Sequence, residues 1–271
     1  MSAKSFVFTN TNSLSVKKNV VIYCNCSAGI ISESKQNEIT EVIKQANTDV
    51  VELRDLCAYT VNEKEALHSI NTKYDKKVVV ACYPRAVQNM FRQGKIEMDN
   101  FEVINFREKS AEQIGKELDE KLESEAGDTS YEVLQNSLEV PAWYPVIEES
   151  RCIYCGKCAK FCVFGVYKFS KKSLEVVEPL NCKNNCPACG RTCPTSAIIF
   201  PRLKENSVLS GAEPGSRDTK ANVPRGGLLV MLNERNQNRR NIFKQDMLQL
   251  AEEEKRKAIE ELKKRAKEQN D

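Results

Sequence analysis

Eight cysteines fall into two short runs. Residues 152–162 read Cys-Ile-Tyr-Cys-Gly-Lys-Cys-Ala-Lys-Phe-Cys, a C-x2-C-x2-C-x3-C spacing. Residues 182–194 read Cys-Lys-Asn-Asn-Cys-Pro-Ala-Cys-Gly-Arg-Thr-Cys-Pro, a C-x3-C-x2-C-x3-C-P spacing. Thiolates so close together are read first as metal ligands. Three of them on one loop wrap three irons of a four-iron cubane, and the fourth ligand comes from elsewhere. Duplicated runs exchange their fourth cysteines. The expected sets are Cys152, Cys155, Cys158 with Cys193, and Cys182, Cys186, Cys189 with Cys162. Zinc is the competing chemistry, because Cys-Pro-Ala-Cys-Gly also looks like a zinc knuckle. Two four-cysteine runs with crossed spacing favour 4Fe–4S clusters.

Four more cysteines, Cys24, Cys26, Cys57 and Cys82, bring the total to 12 in 271 residues. No secretory signal opens the chain, and no apolar run is long enough to span a bilayer; Leu228–Leu232 is the longest run near the end. The expectation is a cytoplasmic protein, where thiols stay reduced and serve as metal ligands or redox groups. The net charge of +3 does not suggest nucleic acid. Residues 151–204 nevertheless hold ten Lys and Arg against two acids, Glu175 and Glu178. Cations there lower the cost of thiolate and cluster charge. A docking face for an acidic redox partner is a further use for them.

The elements that must hold these residues can be read from apolar patterning. Asn19–Tyr23, the run Val50, Val51 and Leu53, Val78–Val80, and the run Phe101, Val103 and Ile104 are β-prone. Between them, Ile39, Val42, Ile43 and Ala46, then Ala66, Leu67 and Ile70, recur at helical spacing. Pro84 can open a third helix, and Ile114, Leu118 and Leu122 mark a closing one. Alternation of strand and helix predicts a parallel α/β sheet of Rossmann-like type over residues 1–125. Cys24 and Cys26, Cys57 and Cys82 each fall at or just past the end of a strand. A parallel sheet gathers those ends on one edge, where such folds bind ligands. Four thiols on one rim suit a third cluster or a tetrahedral metal. Buried cysteines acting as small apolar residues, or a redox-active Cys24–Cys26 disulfide, are the alternatives.

The two later runs are flanked by a repeat. Val146-Ile147 and Val176-Val177 precede them, and Val166–Phe169 and Ala197–Phe200 follow. This region, residues 140–204, resembles the bacterial-type two-cluster ferredoxins, which implies an α+β fold and one-electron transfer through two 4Fe–4S clusters. It departs from their pattern at Val163, where proline is usual, and at the extra residue near Asn184 and Asn185. The amino-terminal half resembles the amino-terminal domain of the flavin-bearing subunits of the heterodisulfide reductase family. Tyr23-Cys24-Asn25-Cys26, Leu56-Cys57 and Ala81-Cys82-Tyr83-Pro84-Arg85 carry that resemblance. It implies that Cys24, Cys26, Cys57 and Cys82 bind an additional 4Fe–4S cluster, with Arg85 near it to balance charge. The flavin domain of that family carries a glycine-rich fingerprint; this chain has no G-x-G-x-x-G after any strand. No flavin is expected in it, and a flavin-containing or catalytic partner would have to supply that chemistry.

Residues 126–139 read as a linker and 205–234 as an irregular connection rich in Ser, Gly, Pro and Asn. Residues 235–271 read as a long helix with Glu-to-Lys or Glu-to-Arg pairs four apart, such as Glu252–Arg256 and Glu261–Arg265. Its apolar stripe, which includes Phe243, Met247, Leu250, Ala251, Ala258, Ile259 and Leu262, is thin; it reads either as a solvated tail packing loosely on its own domain or, as the thin stripe favours, as an arm for docking a redox partner. His68, the single histidine, and Trp143, between two prolines, read as structural. No base, nucleophile or oxyanion constellation marks a catalytic site. The leading expectation is an electron-transfer subunit of an oxidoreductase complex. Thiol or disulfide chemistry at the amino-terminal site, or a zinc-bearing structural adaptor, are the alternatives.

Overall fold

The computed structural model describes residues 17–122, 129–171, 173–214 and 245–268. β-Branched runs make the strands of the first half. β1 (Lys17–Asn25), β2 (Asp49–Arg54), β3 (Tyr74–Ala81) and β4 (Phe101–Asn105) form a parallel sheet. The fifth strand, β5 (Tyr131–Leu134), pairs parallel with β2. The order across the sheet is β4-β3-β1-β2-β5. β5 lies inside the stretch 126–139 that reads as a linker, so Tyr131–Leu134 extends the sheet.

Helices cover this sheet, so the central strands are buried on both faces, as parallel sheets require. α1 (Glu33–Lys44) starts where the Ser32 side chain accepts from the Lys35 N–H. A short α2 (Leu56–Tyr59) follows β2, and α3 (Lys64–Lys73) leads into β3. Pro84 occupies the first turn of α4 (Pro84–Gly94), where its missing N–H costs nothing. A capping box of Ser110 and Gln113 opens α5 (Ala111–Lys121).

The second half is built from two similar pieces. β6 (Val146–Ile147), α6 (Lys157–Phe161) and β7 (Tyr167–Ser170) are followed by β8 (Ser173–Val176), α7 (Ala188–Arg191) and β9 (Ile198–Ile199). β6 pairs antiparallel with β9, and β7 with β8. Each strand before a cysteine run thus pairs with the strand after the other run. The pieces enclose a second core in which Trp143 stacks on Phe200, ring centroids 5.2 Å apart.

Three buried arginines tie the halves together. Arg85, in the first turn of α4, binds Glu148 at 2.6 Å and the carbonyls of Ser196 (2.7 Å), Val208 (2.8 Å) and Ala212 (3.2 Å). Arg107, just past β4, donates to the carbonyls of Leu203 and Lys204, both at 2.9 Å. Arg202 reaches the other way, to Asp55 at 2.8 Å and Ser27 at 3.1 Å. The segment after β9 closes on α4 so tightly that a Cβ on Gly211 would sit 2.7 Å from that of Ala86.

The last helix, α8 (Gln245–Glu268), is 24 residues long. It lies along its own chain, against α7. Ala251 and Ala258 are buried there, Arg191 pairs with Glu254 at 3.0 Å, Lys183 pairs with Glu261, and Lys255 sits over the Phe161 ring. Small residues at the contact let a thin stripe pack closely. Leu248, Leu250 and Leu262 stay exposed. Phe243 and the run Leu228–Leu232 lie outside the described residues. Among the described residues, no helix is long and apolar enough to cross a membrane.

Replacing Arg85 by Met removes one partner of a buried pair and strands Glu148. The expected cost is about 3 kcal/mol, seen as a lower midpoint of thermal unfolding. An unchanged midpoint would show that the junction does not depend on this contact.

Candidate functional site

All 12 cysteines are free, and they act on one another's ionisation in three sets. The first run leaves β6 and turns through Tyr154, held at a φ of 50°, and Gly156, at 70°. At Gly156 an added Cβ would meet the Phe169 ring at 2.4 Å, so glycine is needed twice over. The turn delivers Cys155 and Cys158 beside Cys152. Cys193, from the end of the second run, joins them. These four line one tight pocket, walled by Ile153, Leu174 and Ile198. The Ala197 N–H donates to Cys193 Sγ at 3.3 Å. Burial pushes the Cys158 thiol up to about 12, and the neighbouring Cys193, Cys155 and Cys152 add to the effect.

The complementary four also meet. Burial raises Cys189 well above the usual thiol value, and Cys182 and Cys162 raise it further. Cys186 is raised by burial, with Glu254 of α8 and Cys162 contributing. The Tyr167 hydroxyl lies 3.1 Å from Cys189 Sγ. The extra residue of the second run is absorbed by Asn185 at a φ of 60°, a conformation asparagine tolerates. Val163 is 41% exposed, so the missing proline leaves only a change at the surface.

The third group sits on the carboxyl edge of the parallel sheet. The chain runs from β1 to β2 on one side and then crosses to β3 on the other, and this reversal opens a crevice at the carboxyl end of β1. Cys24 ends β1, Cys26 follows it, Cys57 lies on α2, and Cys82 follows β3. Each of the four is 6% exposed. The Leu56 N–H donates to Cys24 Sγ at 3.4 Å. Cys24 and Cys26 are free thiols, not joined as a disulfide; the neighbouring Cys24 thiol is the main reason the Cys26 pKa is lowered. Burial opposes that shift, while the Ala28 N–H and Arg202 assist it. Burial drives Cys57 well above its ordinary value and Cys82 up to about 12. Arg202 draws Cys57 back down, and Arg107 does the same for Cys82.

The cations at this group are therefore Arg107 and Arg202, in the place the resemblance gave to Arg85. Arg85 is spent on the junction with Glu148 and the three carbonyls. It is 4% exposed. Cys26 differs from its three neighbours in lining an open cleft, with Asn25, Gln36, Arg54 and Asp55.

One comparison with known proteins bears on these groups. An uncharacterized ferredoxin of Methanocaldococcus jannaschii is 44% identical over 64 residues, which is 23% of this chain. The chain spans 44% of that ferredoxin's length. No family model matches the chain. No solved structure matches it either.

Sequence reasoning did not single out Arg107, Arg202 or Asp55. Two of them were within reach of the same logic that found the cysteines. Asp55 follows β2 and Arg107 follows β4, so both stand on the edge where strands end. Arg202 carries no local signal, because it comes from the other half of the chain.

In the reduced, metal-free chain, Cys26 should react with iodoacetamide ahead of Cys24, Cys57 and Cys82 at about pH 8. A lowered pKa means more thiolate at a given pH, and the cleft gives access. Arg202→Gln removes a cation that favours that thiolate and should slow Cys26. Mass-spectrometric rates that place Cys57 or Cys82 first would contradict this.

Proposed function

We propose that this chain carries electrons through three 4Fe–4S clusters. Two would be held in a ferredoxin-like domain over residues 140–204, and the third on the rim of the amino-terminal domain. One observation carries this reading: the 12 free cysteines fall in three sets of four whose members are close enough to shift one another's ionisation. In the second half the grouping is crossed between the runs, and the likeness to a ferredoxin supports an iron–sulfur role there. The ligands would be Cys152, Cys155, Cys158 and Cys193; Cys162, Cys182, Cys186 and Cys189; and Cys24, Cys26, Cys57 and Cys82.

The residues present fit such groups. Each set offers four free thiols, and the first set lines a pocket. Burial raises many of the thiols, so unliganded they hold their protons; iron would take the place of those protons. When bound, a 4Fe–4S cluster stores and releases one electron at a time. The protein's share is local. Arg107 and Arg202 offset negative charge at the amino-terminal group. Amide N–H groups, as at Leu56 and Ala197, donate to sulfur. Apolar walls keep water away. These are the levers by which a protein sets reduction potential.

The redox partners would be other protein subunits, with a flavin-containing or catalytic one among them. Thiol chemistry at the amino-terminal group is a second reading, favoured by the open cleft beside Cys26.

A double substitution in the full chain separates the two. Cys57→Ser with Cys82→Ser, purified and reconstituted without oxygen, should lower iron from about twelve to about eight per chain. Acid-labile sulfide should fall in parallel. Equal iron in the parent and the variant would remove the third cluster and leave thiol chemistry in its place.

A further inference from the structure

The cysteines differ in how far they lie from solvent. Those of the amino-terminal group are buried. The α8 helix packs on α7, which carries Cys189, and its Lys255 sits over Phe161, next to Cys162. Cys155 is the one exposed cysteine of the chain. The two residues before it are apolar and face outward as well: Ile153 is 62% exposed and Tyr154 36%. Large apolar side chains gathered in water are the usual centre of a protein contact.

Around that centre the charge is basic. Lys157 lines the same pocket as Cys155. Lys160 is exposed about one turn further along α6. The β7–β8 hairpin comes up against the turn, with the Phe169 ring over Gly156, and carries the exposed Lys168 and Lys171. Over residues 149–176 six Lys and Arg stand against two acids, Glu149 and Glu175. The preceding Glu148 is turned into the junction with Arg85. Such a face repels a second copy of itself. Nucleic acid would use the cations and leave Ile153 in water. An acidic protein surface matches both the rim and the centre.

We propose that the face around Cys155, with Ile153 and Tyr154 at its centre and lysines at its rim, is where the chain exchanges electrons, by docking an acidic one-electron redox protein. This rests on the reading that Cys152, Cys155, Cys158 and Cys193 hold a cluster. Each encounter moves one electron: one centre is oxidised, the other is reduced, and no bond forms or breaks. Contacts of this kind are small and short-lived, so opposite charge governs how often they form.

The full chain, reconstituted without oxygen, can be mixed in a stopped-flow instrument with a reduced plant-type 2Fe–2S ferredoxin, an acidic one-electron carrier. The second-order rate should fall about tenfold between low and high salt. Lys160→Glu with Lys168→Glu and Lys171→Glu should keep the iron of the parent, slow the low-salt rate about tenfold and flatten its salt dependence. The same triple change should speed reduction of a basic cytochrome c by the dithionite-reduced chain. Reversing Lys44, Lys73 and Lys95, at the far ends of α1, α3 and α4, changes net charge equally and should leave the ferredoxin rate within twofold of the parent. Equal ferredoxin rates in the parent and the first triple variant, or equal slowing by the second, would overturn the proposal. Iron per chain unchanged by Cys155→Ala with Cys158→Ala would instead remove the cluster it rests on, which is a separate result.

Discussion

Four buried thiols and two guanidinium groups share one space at the carboxyl edge of the parallel sheet. Burial makes each thiol harder to ionise, and charge on one opposes charge on its neighbours, except that Cys24 eases the ionisation of Cys26. Arg107 and Arg202 work against that, and their placement fixes much else. Arg202 comes from the cysteine-rich half, so the amino-terminal group is complete only when the two halves are docked. Arg107 binds the segment after Pro201, which holds Arg202 in reach. Arg85 locks the same junction from α4. The junction and the site are thus one construction, and a change at either should be felt at the other.

The cysteine-rich half shows the same economy in a different form. A short run of sequence can bring three thiols to one point but not four. Pairing β6 with β9 and β7 with β8 brings the last cysteine of each run beside the first three of the other. The proposed ligand sets therefore depend on the strand pairs as much as on the spacing. The α8 helix adds a third layer here. Its Glu254 is close enough to raise the Cys186 thiol, and it is itself held by Arg191. α8 shields one flank of this group.

Much of the amino-terminal sheet is legible in the sequence because its signals are local. β-Branched runs such as Val78–Val80 mark strands, and helical periodicity marks the segments between them. Parallel pairing then places Cys24, Cys26, Cys57 and Cys82 on one edge with no further information. β5 is not legible. Tyr131–Leu134 is short, half exposed and preceded by polar residues, and only its pairing with β2 makes it a strand. The thin stripe of α8 misleads for a related reason. Two alanines suffice for close packing on α7, although they look too small to direct it. Arg85 follows Cys82 closely in sequence, which suggests a place beside the cysteines. The first turn of α4 instead aims it at the junction. Distance along the chain does not settle direction in space.

The central claim is that three electron-accepting centres occupy one chain. The most direct test is a reductive titration of the anaerobically reconstituted full chain, counting electrons taken up by EPR and by absorbance bleaching. The account predicts about three electrons per chain, one for each 4Fe–4S cluster. Uptake of about two electrons, with the amino-terminal thiols open to alkylation in the same sample, would contradict it.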